Sequence, residues 1–300
     1  MDIVTHGVMG VVIAAPFAAN HPEAAAAFMM GSVLPDADAL SRVGGKRNFL
    51  KCHQTYTHSL PIIAVIAVVA YGIFGLLGFP DYRIAVALGL GMVFHSLLDY
   101  SNTYGITLLA PFSAKRFCRE WVFFIDLPVI VVSLGTLVLV WRRLQLGRFP
   151  GAWVSYSYLG FLAAYWVIRI WLRGRATRLA PEGTLSLLPT AFVPWKFLGA
   201  RRVGEQVHLF DLSALDGNLA NEALKDVHDP TYEAVLEQIP EFRRMRALSP
   251  LYHAVELDAR DGGVVLTCRD LRTRNFNTRF GELTVTLDAA GTLQGISFHV

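Results

Sequence analysis

The sequence predicts a mainly α-helical membrane domain of about six helices, the first two short, followed by a small, β-rich α+β domain facing the cytoplasm. Three observations predict it. Of 300 residues, 53% are hydrophobic and 17% charged, and the mean hydropathy of +0.41 is rarely reached by a soluble domain of this size. Long apolar runs fill the chain up to Leu172, whereas Arg, Asp and Glu crowd the remainder. In that remainder apolar residues recur with period two, as in half-buried strands. The expected organisation is a transmembrane domain over residues 1–178, a linker over 179–200 and a soluble domain over 201–300.

The first apolar stretch, Ile3 to Ala19, breaks at Asn20-His21-Pro22-Glu23 and resumes as Ala24 to Leu34. Each piece is shorter than the roughly 20 residues a bilayer core requires, which suits a hairpin that barely spans or only partly inserts. Asp2 and His6 stand where a cleavable signal would be basic, so the first helix reads as retained. Ser59 to Gly78 is long enough to span, with Ser59 as its N-cap. Ile84 to Tyr100 is shorter and carries His95 and Asp99, groups that avoid lipid. Trp121 to Trp141 and Ala152 to Leu172 complete the set, with Trp at their ends as interfacial anchors.

Threaded as alternating passes, these helices bring His6, the Leu34 to His58 loop, the His95/Asp99 end, the Ser101 to Glu120 loop and the tail to one face. Ten Lys and Arg residues between Arg42 and Arg178 lie on that face against four on the other, which makes it cytoplasmic and the chain a multi-pass membrane protein. Beyond Arg178, Pro181 to Pro194 reads as linker. Strands are expected at Glu205 to Leu212, His253 to Asp258, Val264 to Cys268 and Leu283 to Leu287, with a hairpin turn at Gly262-Gly263. Thr231 to Ile239 and Glu241 to Ala247 read as short helices split by Pro240.

The net charge of +3 sits beside apolar runs and reflects topology, and the tail shows no helix-turn-helix or Arg-rich groove reader, so direct nucleic-acid binding is not expected. Cys52, Cys118 and Cys268 have no paired or CxxC spacing, so neither a disulfide framework nor a thiolate zinc site is suggested.

The chemistry lies in His and Asp residues where apolar sequence would otherwise continue: Thr5-His6, Pro35-Asp36-Ala37-Asp38, His53 to His58, and His95 to Asp99. Imidazole and carboxylate suit zinc, with manganese or iron as alternatives. His95 and Asp99, one turn apart, project from one helix face. Asp36 and Asp38 follow Pro35 at a helix end, and His53 and His58 flank a turn. Taken singly, a membrane-helix His bonded to a carbonyl or an Asp-rich turn would be unremarkable. Four segments converging on one face favour a divalent metal, one ion or two, with His6, Asp36, Asp38, His53, His58, His95 and Asp99 as ligands. Asp126, about five residues inside the Trp121 to Trp141 span, needs a partner or a proton at that depth. It is a candidate ligand, an orienter of a ligand His, or with Asp38 a general base. His21 falls on the opposite face, and His208, His228, His253 and His299 read as ordinary residues of the tail.

These strings, from Met1-Asp2-Ile3-Val4-Thr5-His6 through Gly31 to Asp38, Thr57-His58-Ser59-Leu60 and His95-Ser96-Leu97-Leu98-Asp99, resemble the YdjM/YbcI/YfhP group of bacterial proteins. That group is described as LexA-binding, inner-membrane-associated and metal-dependent in hydrolysis. The likeness continues through Asp99 to Gly105, Pro111 to Ser113 and Ile125-Asp126, and Pro194-Trp195 with its β-rich tail is similar to the longer members. Members commonly show His-Arg-Gly before Thr-His-Ser, whereas here the run is His53-Gln54-Thr55-Tyr56, which removes an Arg suited to phosphate. The Pro-Asp, Thr-His and His-x3-Asp elements are also similar to those of zinc-dependent phospholipase C enzymes. The resemblance implies a membrane-bound metal-dependent hydrolase, and a site at the lipid headgroup level makes a phosphoester of a lipid or other amphiphile the expected substrate, with membrane lipid as its partner. Its alternative is a non-enzymatic regulator that binds metal and presents its tail to a cytoplasmic protein such as a LexA-type repressor. A metal or proton transporter using His95, Asp99 and Asp126 is disfavoured, because the ligands cluster at one face instead of spreading through the bilayer.

Overall fold

In a computed structural model of the chain, residues 2–78, 80–260, 262–272 and 279–299 are described, and they fall into a helical unit, Met1–Ile170, and a β-rich unit, Trp171–Val300. In the helical unit α1 spans Ile3–Ala14, started by Asp2, whose side chain accepts from the Thr5 backbone N–H, and runs on through a 3-10 turn, Ala15–Phe17. Helix α2, Pro22–Gly31, begins with its proline, where the missing N–H costs no bond. A 3-10 run, Leu34–Gly44, leads to α3, Lys46–Cys52. Helices α4, Leu60–Leu76, and α5, Tyr82–Tyr100, follow, then α6, Leu127–Gln145, and α7, Trp153–Leu179.

Two glycines set the spacing of α2 and α5. A Cβ on Gly31 would strike the Leu88 carbonyl, and one on Gly91 would strike the Phe28 carbonyl, so only glycine permits this backbone approach. Met9, Val12 and Ile13 of α1 pack with Leu98, Val122, Val129, Tyr158 and Leu162 as the unit's core. Ser155 of α7 donates to the Ile13 carbonyl at 2.7 Å.

The helices depart from expectation in three places. The Trp121 to Trp141 span starts later, at Leu127, because Pro128 occupies the first turn and Asp126 caps it through the Val129 N–H. Asp126 therefore lies at a helix end, not inside a span. Helix α7 continues to Leu179, seven residues past Leu172, since nothing in 173–178 breaks it. Among the described residues two helices, α5 and α6, are by length and composition long and apolar enough to cross a membrane, while Ile3–Phe17 and α4 are apolar but shorter. Arg169 and Arg173 lower the apolar character of α7.

In the β-rich unit β1, Thr184–Pro189, β2, Lys196–Val203, β3, Gln206–Ser213, and β4, Leu219–Asp226, form one antiparallel meander. After α8, Asp229–Leu236, and α9, Pro240–Leu248, a second meander comprises β5, Tyr252–Arg260, β6, Gly263–Asp270, β7, Leu283–Leu287, and β8, Leu293–Phe298. The expected strands at His253 to Asp258, Val264 to Cys268 and Leu283 to Leu287 fall within β5, β6 and β7, and the one at Glu205 to Leu212 starts one residue before β3. The segment read as linker, 179–200, instead holds β1 and most of β2. Its prolines suggest a linker, but Pro189 closes β1, and Leu187 and Phe197 pack with Phe210, Leu212 and the end of α7. The β5–β6 hairpin pairs Arg260 with Gly263, and Gly262 takes φ +80° in the turn, so Gly263 belongs to the strand; the rest of the turn, Asp261, lies outside the described residues.

Candidate metal centre

Four segments of the helical unit meet at one place: α1 through His6, the 3-10 run through Asp36 and Asp38, the loop between α3 and α4 through His53 to His58, and the last turn of α5 through His95 and Asp99. Asp36, His58, His95 and Asp99 each offer one ligand atom within 4.8 Å of the others, and all four are buried. His95 Nε2 lies 3.1 Å from His58 Nε2, 3.5 Å from Asp36 Oδ1 and 3.7 Å from Asp99 Oδ2. His58 Nε2 is 3.4 Å from Asp99 Oδ2 and 3.8 Å from Asp36 Oδ1.

The outer nitrogens decide what the inner ones can do. His95 Nδ1 sits 2.8 Å from the Ser32 carbonyl, which can only accept, so Nδ1 carries the hydrogen. The close α2–α5 packing at Gly31 and Gly91 delivers that carbonyl. His58 Nδ1 faces Asp38 Oδ2 at 3.5 Å and Thr57 Oγ1 at 3.1 Å, which likewise places its hydrogen outward. In the neutral rings both Nε2 lone pairs then face each other at 3.1 Å beside two carboxylate oxygens. Such an electron-rich centre fits a divalent cation, and Asp36, His58, His95 and Asp99 could hold one. Burial, partly opposed by Asp99, holds His58 below the usual imidazole value and so keeps it neutral.

The other expected ligands stand around these four. His6, fully buried, reaches Asp99 Oδ1 through Nε2 at 3.2 Å and stacks on His95 with ring centroids 3.6 Å apart. Its Nδ1 is buried with no hydrogen-bond partner among the described residues. Asp38 faces outward from the quartet and accepts from His53 Nδ1 at 2.7 Å, the Gln54 backbone N–H at 2.7 Å and Thr57 Oγ1 at 3.1 Å. His53 meets Asp38 with its side chain 29% exposed, at the rim. Asp126 is outside the cluster: it caps α6 and accepts from the Tyr165 hydroxyl at 2.8 Å.

Three contributors escape a reading of His and Asp alone. Gln54 donates to Asp99 Oδ2 at 3.2 Å and holds φ +56°. Arg116, from the loop between α5 and α6, donates to Gln54 Oε1 at 3.1 Å and to the Gly105 carbonyl at 2.6 Å. Ser32 supplies only its backbone. The departure from His-Arg-Gly is the one sequence signal at this spot: Gln54 stands where an Arg is common, and a guanidinium arrives beside it from Arg116.

The profile of the YdjM inner membrane proteins matches residues 1–176, a stretch that holds every residue of this centre. The chain belongs to the YdjM inner membrane protein family. Among curated proteins, the uncharacterized protein YfhP of Bacillus subtilis (strain 168) is 27% identical over 194 residues, 61% of this chain and 58% of that protein. The chain thus matches well under two thirds of that relative's length. No solved structure matches it.

Proposed function

We propose that this YdjM-family chain is a multi-pass membrane hydrolase that uses a divalent metal, zinc first, to cleave a phosphoester of a lipid or other amphiphile at the cytoplasmic headgroup level. The observation that carries it is the buried Asp36/His58/His95/Asp99 quartet, with two imidazole Nε2 atoms turned toward each other. Membrane embedding is supported by the family and by large apolar side chains facing outward: Val68 on α4, Leu90 and Leu97 on α5, and Val131 and Val138 on α6 are each more than half exposed. A bound divalent ion would supply Lewis acidity and acidify water near neutral pH. Asp38 acts as a positioning residue that fixes His58, and with the rim His53 it forms an acid–base pair reachable by water. His6 braces Asp99 and His95. Asp126 serves α6 and Tyr165 instead of the reacting group.

The test is elemental analysis of full-length protein purified without added metal, joined to turnover of amphiphilic phosphomonoesters and phosphodiesters. Bound transition metal in the wild type, and loss of both metal and turnover in His95→Ala/Asp99→Ala, are expected. Equal metal content in the two proteins overturns the reading.

A second reading has its own observation: the family match ends at residue 176, and the β-rich unit lies almost wholly beyond it. In that reading the unit binds a cytoplasmic protein, such as a LexA-type repressor, and the metal is structural. Capture of that repressor by wild-type and His95→Ala/Asp99→Ala protein alike, without metal-dependent turnover, favours it.

A further inference from the structure

The segment that carries Asp36 and Asp38 has a second face. Both carboxylates are buried, Asp36 in the quartet and Asp38 against His53, Gln54 and Thr57. From residue 39 to residue 52 the sequence holds four cations, Arg42, Lys46, Arg47 and Lys51, and no Asp or Glu. All four are exposed. Between and before them Leu40 is 72% exposed and Val43 91% exposed, the latter just before the Gly44-Gly45 turn, where Gly45 takes φ +97°. The inner side of the same segment is anchored by Phe49 and Leu50, both buried. Aliphatic side chains presented outward among cations, on an element with a buried opposite face, are the pattern of an interfacial segment: the aliphatics enter the acyl boundary and the cations meet lipid phosphates.

We infer that residues 40–51 dock on an anionic lipid surface, so that lipid headgroups of negative charge hold the segment bearing Asp36 and Asp38 at headgroup depth. This rests on the membrane-embedded reading above and adds a partner to it. The cations on the outer side and the metal ligands on the inner side of one short segment couple the two: lipid that orders residues 40–51 also orders the ligand-bearing run before them.

The experiment is amide hydrogen exchange of the full-length protein in nanodiscs of phosphatidylcholine alone or mixed with phosphatidylglycerol. Exchange over residues 40–51 should slow by at least about threefold in the anionic discs, with β7 unchanged. Raising salt to about 0.5 M, where the Debye length is only a few ångströms, should erase the difference in the unaltered protein. Lys46→Glu/Arg47→Glu/Lys51→Glu should erase it too, and Leu40→Ser/Val43→Ser should reduce it. Equal exchange in both discs, or a difference indifferent to salt, overturns the inference while leaving the membrane reading intact. Release of the protein from membranes by an alkaline wash would instead overturn the membrane reading, and metal content is untouched by either result.

Discussion

Both units bury a carboxylate against an imidazole, and the two clusters behave differently because of what stands third. In the β-rich unit Asp229, at the start of α8, meets His253 of β5 at 2.7 Å and also the guanidinium of Arg246 on α9. Burial opposes ionisation of Asp229, but the hydrogen bond and charge of His253, with Arg246, outweigh it and keep the carboxyl below its ordinary range. That cluster carries a permanent cation of its own, so it ties α8 and α9 to the sheet. In the helical unit Asp36 meets His58 and His95, rings whose outer hydrogens point to Asp38 and Ser32 and whose inner nitrogens point at each other. A buried Asp–His pair therefore reads as a structural lock where an Arg completes it, and as a ligand set where imidazole Nε2 atoms converge.

The comparison breaks most sharply at the ligands. Asp99→Ala should reduce bound metal to background in elemental analysis, while Asp229→Ala leaves metal content unchanged; metal loss in both would show that the clusters are not separate. Asp229→Ala should instead destabilise the β-rich unit by roughly 3–5 kcal/mol, because it leaves the Arg246 charge without its carboxylate. Denaturant titration of the full chain, followed by alkylation of Cys268, checks this, since burial pushes that thiol up to about 12 and it should react only on unfolding.

Next in size is Asp38→Ala. It removes the partner that aims His58, and metal affinity measured by competition with a chelator should fall about 10–100-fold with the four ligands intact. An unchanged affinity would mean that Asp38 does not set the ring.

The smallest effect separates the clusters by pH. Burial lowers His58 below 6.5, so on acidification the unfolded chain takes up that proton first. The metal-free protein then loses stability as pH falls from 6.5 toward the lower folded value, and metal should be retained somewhat below pH 6.5 before His58 protonates. Asp229, depressed in the folded state, contributes stability above its ordinary 3.8 that is lost only as pH falls through its lower folded value. Dialysis against a pH series, with metal content and unfolding read together, should show metal leaving first.

Much of the helical unit is legible because its signals are local. The apolar runs from Ile3 and across the break at Pro22 locate α1 and α2 through a cap at Asp2 and a missing N–H at Pro22, which depend on neighbours a few residues away, whereas the starts of α5 after Asp81 and of α6 at Pro128 are not read from the sequence. The β-rich unit is less so: β1 and β2 hide among prolines, and β4 is exposed along nearly its whole length, so neither a buried run nor alternation marks it.

For the centre itself, residue order and chemical type suffice to pick out Asp36, His58, His95 and Asp99 as metal-ligand types, because an ionisable group in apolar sequence needs a reason wherever it folds. The ranking among the seven candidates waits for three dimensions. That His58 and His95 turn Nε2 inward depends on Asp38 and on a Ser32 carbonyl delivered by two glycines, that Asp38 and His53 stand outside depends on a loop held by the Gln54 N–H, and that Asp126 leaves the site depends on where α6 begins. Each is a matter of distance between segments far apart in the chain, and side-chain direction across such gaps is fixed by packing, not by the identity of the residue.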